Sequence, residues 1–233
     1  MADSSIFSAI IVAAGVGRRM HSAIPKQFLL LDGRPILAFA IANILKTMGL
    51  REIILVVAAD QIDAPELEAC LPSESVVPIK IVVGGERRQD SVYNGLKLLD
   101  PQTEIVVIHD GVRPFIKPAL IDEIVRLCAE FDGAIPATPA VETLKEVAGN
   151  IVLKTLDRTK IWRAQTPQAF RRTILERAYA NARANAVNAT DDATLVELIG
   201  GKIAIVENSA NNIKITCQND LEIAKSILRH WES

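Results

Sequence analysis

Apolar stretches of strand length recur through the first half of the chain. They are rich in Ile and Val, and they occupy residues 6–12, 53–58, 79–83 and 105–108. Hydrophobic and polar positions do not alternate within them, which predicts strands that are buried on both faces. Such strands need a layer of helices on each side of the sheet, so the intervening segments should be helical.

Helical periodicity is found in those intervening segments. Apolar residues lie three or four positions apart in residues 35–48, 89–99 and 118–130, as in amphipathic helices. Strand and helix therefore alternate, which predicts an α/β fold with a doubly wound, mostly parallel, Rossmann-like sheet and helices on both faces. In this architecture ligands bind beyond the carboxyl ends of the strands, so the loops after the predicted strands are the candidate site.

The pattern changes at residues 141–155, which predict two short strands joined by a turn at residues 148–150. A lone hairpin is marginally stable in water. We therefore expect a protruding β-hairpin arm, at about residues 140–158, that packs either on its own domain or on a partner subunit.

The remaining chain returns to helices and one strand. These elements are predicted at residues 171–186, 191–198, 203–206 and 221–231. Asn219 or Asp220 is expected to cap the last helix, because both side chains accept hydrogen bonds from exposed backbone N–H groups. No linker rich in Pro, Gly or Ser interrupts the sequence, so residues 1–233 are predicted to form one domain with the arm embedded in it.

Composition narrows the class of protein. Among 233 residues, 49% are hydrophobic and 23% are charged, as expected for a folded globular chain. The net charge is −2, so no overall basic field attracts nucleic acid. Cys70, Cys128 and Cys217 form no C-x-x-C pair, which favours free or buried thiols in a reducing compartment. No basic leader precedes the short first apolar run, so we expect a cytoplasmic protein without a membrane segment.

The loop after the first predicted strand reads AAGVGRRMHSAIPKQ, residues 13–27. Gly15 and Gly17 begin the dinucleotide-binding fingerprint G-x-G-x-x-G, but Met20 occupies the third glycine position. A Walker Gly-Lys-Ser/Thr is also absent. Glycines at this place still allow a backbone to approach a phosphate closely, so the loop predicts a phosphate site of another kind.

Three cations follow these glycines: Arg18, Arg19 and Lys26. Transfer of a phosphoryl centre requires positive charge in addition to backbone N–H groups, and the trio supplies it. The alternative is a set of ordinary surface charges, which applies most readily to Arg18, since adjacent residues in a turn point in different directions.

Two further loops carry candidate chemistry. GGERRQDS, residues 84–91, offers flexible glycines and the hydroxyl of Ser91, although an ordinary strand-to-helix turn explains it equally well. HDGVRP begins at His109, which is more readily a packing residue than a base. Asp110 and Arg113 either pair with each other or bind ligand, the first through sugar hydroxyls or Mg²⁺ and the second through an anion.

Lys214 lies between two isoleucines in ANNIKIT. The alternation predicts a short strand in which Lys214 faces the side opposite its neighbours. By this pattern alone, a solvated strand face is the simplest interpretation.

Taken together, the motifs resemble the 2-C-methyl-D-erythritol 4-phosphate cytidylyltransferase family. The resemblance runs in order through A-A-G-x-G-R-R-M…P-K-Q, G-G-x-x-R-x-x-S-V, H-D-x-x-R-P, D-R…W…Q-T-P-Q-x-F, T-D-D and N-I-K-I-T. It implies a single nucleotidyltransferase domain of the stand-alone form. It also implies a homodimer in which the arm of one subunit completes the site of the other.

The resemblance also implies roles for residues. Transition-state stabilisers fall on Arg19 and Lys26, and residues that position the incoming phosphate fall on Arg158 and Lys214. Contacts with CTP fall on Ala13, Ala14, Gly15, Gly85, Glu86, Ser91 and Gly111. Contacts with methylerythritol phosphate fall on Asp110, Arg113, Thr143, Arg158, Thr166 and Lys214, with Thr143 and Arg158 acting in trans.

The implied reaction joins CTP and 2-C-methyl-D-erythritol 4-phosphate to give 4-CDP-2-C-methyl-D-erythritol and pyrophosphate. A phosphate monoester is already a nucleophile near neutral pH, because its second pKa is about 6. The protein therefore has to align two anions and neutralise charge. Mg²⁺ is expected to bind mainly through the triphosphate, with no protein-built metal site.

Three other functions remain open on the sequence. A ribitol 5-phosphate cytidylyltransferase would share the glycine loop and P-K-Q, although the wording around Arg158 and Trp162 favours the methylerythritol enzyme. A dinucleotide-dependent oxidoreductase is disfavoured by Met20. A nucleotide sensor would bind CTP without turnover.

Overall fold

The computed structural model describes residues 6–15, 20 and 24–231. Its strands are β1 (Phe7–Val12), β2 (Leu30–Leu31), β3 (Arg34–Pro35), β4 (Leu50–Val57), β5 (Ile79–Val83), β6 (Ile105–Asp110), β7 (Gly133–Pro139), β8 (Lys145–Ala148), β9 (Ile151–Thr155), β10 (Trp162–Ala164), β11 (Gln168–Arg171) and β12 (Ile203–Glu207). Its α-helices are α1 (Ile36–Leu45), α2 (Pro65–Glu68), α3 (Arg88–Leu96), α4 (Pro118–Leu127), α5 (Arg172–Ala184), α6 (Asp192–Glu197) and α7 (Gln218–Leu228).

One mixed, mostly parallel sheet organises the chain, as predicted. Its strand order is β10-β7-β11-β6-β1-β4-β5, and β12 pairs with β7 as well. β1 pairs in parallel with both β4 and β6, and β12 is parallel to β7. Among the strands described in this sheet, β10 and β11 run in the direction opposite to the others. The parallel core brings the carboxyl ends of β1 and β6 side by side.

Helices cover both faces of this sheet. Ile11 of β1 belongs to a buried cluster that includes side chains of α1 and α4, whereas Ile10 belongs to a second cluster with side chains of α3, α5 and α6. This two-sided burial explains why the strand sequences are continuously apolar. A third, smaller cluster packs Leu221 of α7 against Val112 and Ile215, beneath the loops at the carboxyl ends.

Strands β7, β10 and β11 were not predicted from the pattern. The β7 segment reads GAIPATP, whose Gly and Pro residues weaken a strand signal. Tertiary packing nevertheless requires Gly133 there, because a Cβ atom at this position would lie 2.4 Å from Cδ1 of Phe170 in β11. The sheet thus contains a strand, β7, that the local sequence does not predict.

Asp220 caps the last helix, as one of the two predicted alternatives, but it does so from inside the helix rather than from the N-cap position. Cys217 is the N-cap of α7, and Asp220 is the third helical residue. The Asp220 carboxylate accepts hydrogen bonds from the backbone N–H groups of Thr216 (2.7 Å) and Cys217 (2.9 Å). This carboxylate reaches backwards from the first turn to the N–H groups at and before the N-cap, whereas a side chain at the N-cap would accept from the second or third helical residue.

The predicted arm is confirmed as an antiparallel pair of β8 and β9. Gly149 occupies the turn with a φ of 55°, a left-handed conformation that glycine adopts without strain. Every residue of both strands is exposed, including Ile151 at 71% and Leu153 at 57%. Within the described part of the chain, the apolar side chains of the arm are therefore left uncovered.

A buried histidine makes the fold sensitive to acid. His109 in β6 has no exposed surface, and burial lowers its pKa from 6.5 to about 4. Between these values the unfolded chain binds a proton that the folded chain does not, so stability is lost as the pH falls from about 6.5 to 4. Carboxylates titrate at the acid end of the same window, so the histidine effect is separated from theirs by comparison with a variant that lacks the histidine.

We predict that acidification from pH 7 to pH 5 lowers the free energy of unfolding by about 2 kcal/mol through His109. Urea unfolding of the parent and of His109→Gln at both pH values measures it, and the variant should lose correspondingly less. His230→Gln, at a histidine in an exposed setting, should behave like the parent. Equal losses in the parent and His109→Gln would refute the prediction.

Candidate active site

A polar pocket lies beyond the carboxyl ends of β1 and β6. It holds about 600 Å³ of empty space, part of it open to solvent. The predicted residues that line it are Ala13, Ala14, Gly15, Lys26, Gly85, Glu86, Ser91, Asp110 and Lys214. The lining residues that were not predicted are Val12, Gln27, Arg87, Arg88 and Val112. Two separate glycine loops and the residue that ends β6 thus meet in one pocket.

The first glycine loop presents backbone to the pocket. Gly15 is exposed, and a Cβ atom added there would meet no described atom within 4 Å. Nothing in the described chain therefore demands glycine at this position. Glycine leaves the backbone accessible on the side of the pocket that Gly15 lines, and its contact with a phosphate stays a prediction.

The second loop packs tightly at both of its glycines. A Cβ atom at Gly84 would lie 2.5 Å from Cβ of Ala14, and one at Gly85 would lie 2.4 Å from Cβ of Asp90. Close packing within the protein thus requires glycine at both positions. The hydroxyl of Ser91 accepts a hydrogen bond from the N–H of Gly85 (3.1 Å), so Ser91 also fixes the shape of this loop.

Asp110 is the electrostatic centre of the pocket. Its Oδ1 lies 3.0 Å from Nε of Arg88, while its Oδ2 lies 2.8 Å from Nζ of Lys214 and 3.7 Å from Nε of Arg113. Pairing of Asp110 with Arg113 was one of the two alternatives open on the sequence, and the structure adds two further cations. One buried carboxylate therefore holds together side chains from α3, from the loop after β6 and from the loop before α7.

These contacts decide the charge of Asp110. Burial by itself would raise the pKa of the carboxyl group, but Arg88, Lys214 and Arg113 outweigh burial and hold the pKa well below its usual range. Asp110 therefore stays ionised at any physiological pH. The group of four side chains carries a net positive charge, as a site for anionic ligands requires.

Arg88 is a functional candidate that the sequence analysis missed. Its Nη1 donates to Oδ2 of Asp192 at 2.7 Å, and Oδ1 of Asp192 accepts from the hydroxyl of Tyr179 at 2.5 Å. Asp192 and Tyr179 are both buried. Arg88 is the Arg of the motif G-G-x-x-R-x-x-S-V and Asp192 is the second Asp of T-D-D, but their pairing joins residues 104 positions apart.

Lys214 reaches the pocket from an irregular segment. No strand forms at residues 213–216, so that prediction was wrong, and the interpretation as a solvated face was wrong as well. Asn212 anchors the segment by donating to the Thr166 carbonyl at 2.9 Å, and the N–H of Ile215 donates to the Val112 carbonyl at 3.0 Å. The predicted opposite orientation is confirmed, because Ile215 is buried while Lys214 contacts Asp110.

Three predicted ligand contacts lie behind the pocket wall. Arg113 is largely buried and donates to the Asn212 carbonyl at 2.7 Å. Gly111 packs so tightly that a Cβ atom would lie 2.8 Å from Cδ1 of Leu37. Thr166 is 5% exposed and bonds to the β6 backbone. None of the three is a lining residue of the pocket as it stands in this chain.

The arm residues lie apart from this pocket in the described chain. Thr143 and Arg158 are exposed, and neither lines the pocket. Arg158 instead donates to the carbonyl oxygen of Val141 at 2.5 Å. That both residues act in trans stays a prediction.

Some predicted features fall outside the described residues or outside the pocket. Arg18, Arg19 and Gly17 lie outside the described residues. Met20 is buried, with 6% of its surface exposed. Across residues 24–231 and the described part of the N-terminal loop, no group of three His, Cys, Asp or Glu side chains is placed to hold a metal ion. In the same part of the chain, no helix is long and apolar enough to span a membrane.

Comparison with known proteins supports the same interpretation as the pocket. The family model described as 2-C-methyl-D-erythritol 4-phosphate cytidylyltransferase matches residues 7–230. Proteins of that name from Syntrophus aciditrophicus and Clostridioides difficile are 42% and 40% identical to this chain. The alignments cover 96% of this chain in both cases, and 96% and 94% of the respective relatives.

Solved structures agree in fold. The crystal structure of 4-diphosphocytidyl-2C-methyl-D-erythritol synthase from Anaerococcus prevotii has a TM-score of 0.86 at 32% identity, and the match covers 97% of this chain and 100% of that one. The enzyme from Thermus thermophilus has a TM-score of 0.78 at 28% identity, with 96% and 99% covered. Since the family model, the relatives and the fold all extend over nearly the whole sequence, the chain belongs to the 2-C-methyl-D-erythritol 4-phosphate cytidylyltransferase family.

Proposed function

We propose that this protein joins CTP and 2-C-methyl-D-erythritol 4-phosphate to give 4-CDP-2-C-methyl-D-erythritol and pyrophosphate, a step in the non-mevalonate route to isoprenoid precursors. Given the family of this chain, one structural observation supports the proposal most directly. The open backbone at Gly15, the ammonium groups of Lys26 and Lys214 and the ion-paired Asp110 converge on one pocket at the carboxyl ends of β1 and β6. This arrangement suits two phosphate-bearing substrates.

The chemistry follows from the substrate and from the lining. The phosphate monoester is mostly a dianion at neutral pH, because its second pKa is about 6, so it attacks the α-phosphorus of CTP in line without a general base. The described lining agrees with this, since it contains cations but neither His nor Cys. Lys26, with Arg19, neutralises charge that grows at the α-phosphorus and on the leaving pyrophosphate.

The two substrates divide the pocket between its walls. Ala13, Ala14, Gly15 and the loop of Gly85, Glu86 and Ser91 form the nucleotide wall. Asp110 and Lys214 form the wall of the incoming phosphate, where Lys214 supplies the cation and Asp110 remains an acceptor for hydroxyl groups. Gly111, Arg113 and Thr166 support these walls from behind.

Mg²⁺ is part of the proposal, bound mainly through the triphosphate. The donor set fits this mode, because Asp110 and Glu86 are the carboxylates of the described lining and Asp110 is already surrounded by Arg88, Lys214 and Arg113. The ion would neutralise phosphate oxygens and favour departure of pyrophosphate.

A homodimer with an exchanged arm completes the proposal. The uncovered apolar side chains of β8 and β9 need a partner surface, and Thr143 and Arg158 lie at the base of the arm. We infer that both side chains reach the partner's pocket. Cys70, Cys128 and Cys217 are free thiols, which supports a reducing, cytoplasmic location.

We predict that pyrophosphate release requires both CTP and 2-C-methyl-D-erythritol 4-phosphate. A coupled pyrophosphate assay with a panel of sugar-alcohol phosphates measures this directly. Ribitol 5-phosphate is the comparison substrate, because a ribitol 5-phosphate cytidylyltransferase was the nearest alternative on the sequence. The family model and the relatives do not favour that enzyme. Release with ribitol 5-phosphate and not with the methylerythritol substrate would overturn the assignment. CTP binding without any turnover would instead indicate a sensor.

Replacement of Lys26 by Ala should lower kcat at least about 10²-fold, because it removes a cation at the reacting phosphorus. Steady-state kinetics with both substrates varied will measure the change. Lys202→Ala is the matched control, since Lys202 is exposed and precedes the amino end of β12, at the other edge of the fold. Lys26 loses its proposed role if its variant keeps a near-normal kcat.

The dimer proposal predicts complementation between two impaired variants. Lys26→Ala damages the pocket and Arg158→Ala damages the arm, so a mixed dimer contains one site with neither lesion. Co-refolding equal amounts should restore up to about a quarter of the parent activity, since half of the dimers are mixed and each has one intact site. Activity no higher than the average of the two variants would show that the arm acts within its own chain.

A further inference from the structure

His109 occupies a place in the site that the proposed mechanism does not use. It is fully buried at the end of β6, directly before Asp110, and it is not a lining residue of the pocket. A proton-transfer role is therefore excluded by access. Both ring nitrogens nevertheless have polar partners on other parts of the site: Nε2 lies 3.0 Å from the carbonyl oxygen of Arg113, and Nδ1 lies 3.1 Å from Oγ1 of Thr166.

These partners determine which nitrogen carries the proton. A carbonyl oxygen only accepts hydrogen bonds, so Nε2 has to be the protonated nitrogen that donates to Arg113. In a neutral ring Nδ1 is then an acceptor, and the Thr166 hydroxyl donates to it. Burial lowers the pKa of His109 to about 4, so the ring is neutral at pH 7.

The direction of the next hydrogen bond is determined as well. The backbone N–H of Asp110 donates to Oγ1 of Thr166 at 3.0 Å, and Thr166 uses its one proton for His109. The series therefore runs in one direction, from the Asp110 N–H through Thr166 and His109 to the Arg113 carbonyl. It therefore links Asp110 to Arg113, the two residues whose side chains also approach each other at 3.7 Å.

We propose that His109, as the neutral tautomer protonated at Nε2, is a positioning residue that orients Asp110 and Arg113 for the incoming phosphate substrate. Thr166 then acts through its bond to the Asp110 backbone and has no proton left to donate to that substrate. The kinetic consequences of this inference rest on the proposed function. The tautomer of His109 does not depend on the reaction that the protein catalyses.

The consequence for binding is selective. Asp110 holds Lys214 at 2.8 Å, and the Arg113 side chain is anchored on the Asn212 carbonyl at 2.7 Å. Loss of the series frees the short loop between Asp110 and Arg113, and with it the wall that binds the incoming phosphate. The nucleotide wall is built mainly on the loops after β1 and β5 and touches this loop through Gly111, whose N–H donates to the Val12 carbonyl at 2.9 Å, so it should change much less.

The tautomer is tested by ¹⁵N NMR of the full-length protein labelled at histidine, at pH 7. The expected result is an unprotonated Nδ1 and a protonated Nε2 for His109, assigned by the loss of its signals in His109→Gln. The Nδ1 resonance should move in Thr166→Val and stay nearly unchanged in Thr166→Ser. A protonated Nδ1, or a doubly protonated ring, overturns the proposal whatever reaction the protein catalyses.

Kinetics test the positioning role. His109→Gln keeps a donor near the Nε2 position and loses the acceptor for Thr166, so it and Thr166→Val should each raise KM for methylerythritol phosphate about tenfold, with KM for CTP within about twofold. The double variant should be no worse than either single variant, because the two residues act through one series. Thr166→Ser should restore near-parent values, and His230→Gln is the matched control.

The outcomes separate the two proposals. Additive losses in the double variant, or equal changes in both KM values, would reject the role of His109. If the parent protein shows no turnover of CTP with methylerythritol phosphate, the proposed function fails, and the NMR result still decides the hydrogen-bond series. If the variants of His109 and Thr166 do not fold, the His109 signals are assigned by elimination with His21→Gln and His230→Gln, and the parent spectrum then decides the tautomer.

Discussion

The site depends on keeping one carboxylate ionised in a place where burial opposes its charge. Asp110 achieves this through Arg88, Lys214 and Arg113, which come from three different parts of the chain. A buried charge with its partners removed is costly, so the four side chains specify one another's positions. The three cations outnumber the single carboxylate they surround, so this group of side chains keeps a net positive charge.

This charge centre can exist because of the sheet topology. Parallel pairing of β1 with β6 places the open glycine loop next to Asp110, and β11 and β10 bring Thr166 behind them. Buried hydrogen bonds then convert proximity into fixed geometry. Asp192 and Tyr179 hold Arg88 from one side, while Asn212 holds Arg113 and the Lys214 segment from the other. Cations arranged beforehand are suited to a reaction that consists mainly of aligning two anions.

The predictable part of the fold is the part with strong local periodicity. β5 has its predicted bounds at 79–83, and the long helices differ only at their ends. The differences occur where tertiary contacts overrule the local pattern. Gly133 and two prolines hide β7, Asp220 caps α7 from inside the helix, and Lys214 lies in a segment held by side-chain bonds rather than by strand pairing.

The sequence by itself determined the alternation of strand and helix, the arm and the order of motifs that marks the family, because these depend on spacing along the chain. It also predicted nine of the residues that line the pocket. Only the tertiary structure decided which charged and polar groups become ion-pair and hydrogen-bond partners. Arg88 meets Asp192 across 104 positions and Asp110 across 22, and the direction of the His109 series depends on partners 4 and 57 positions away. Electrostatic and hydrogen-bond energies depend on distance in space, which no local pattern encodes.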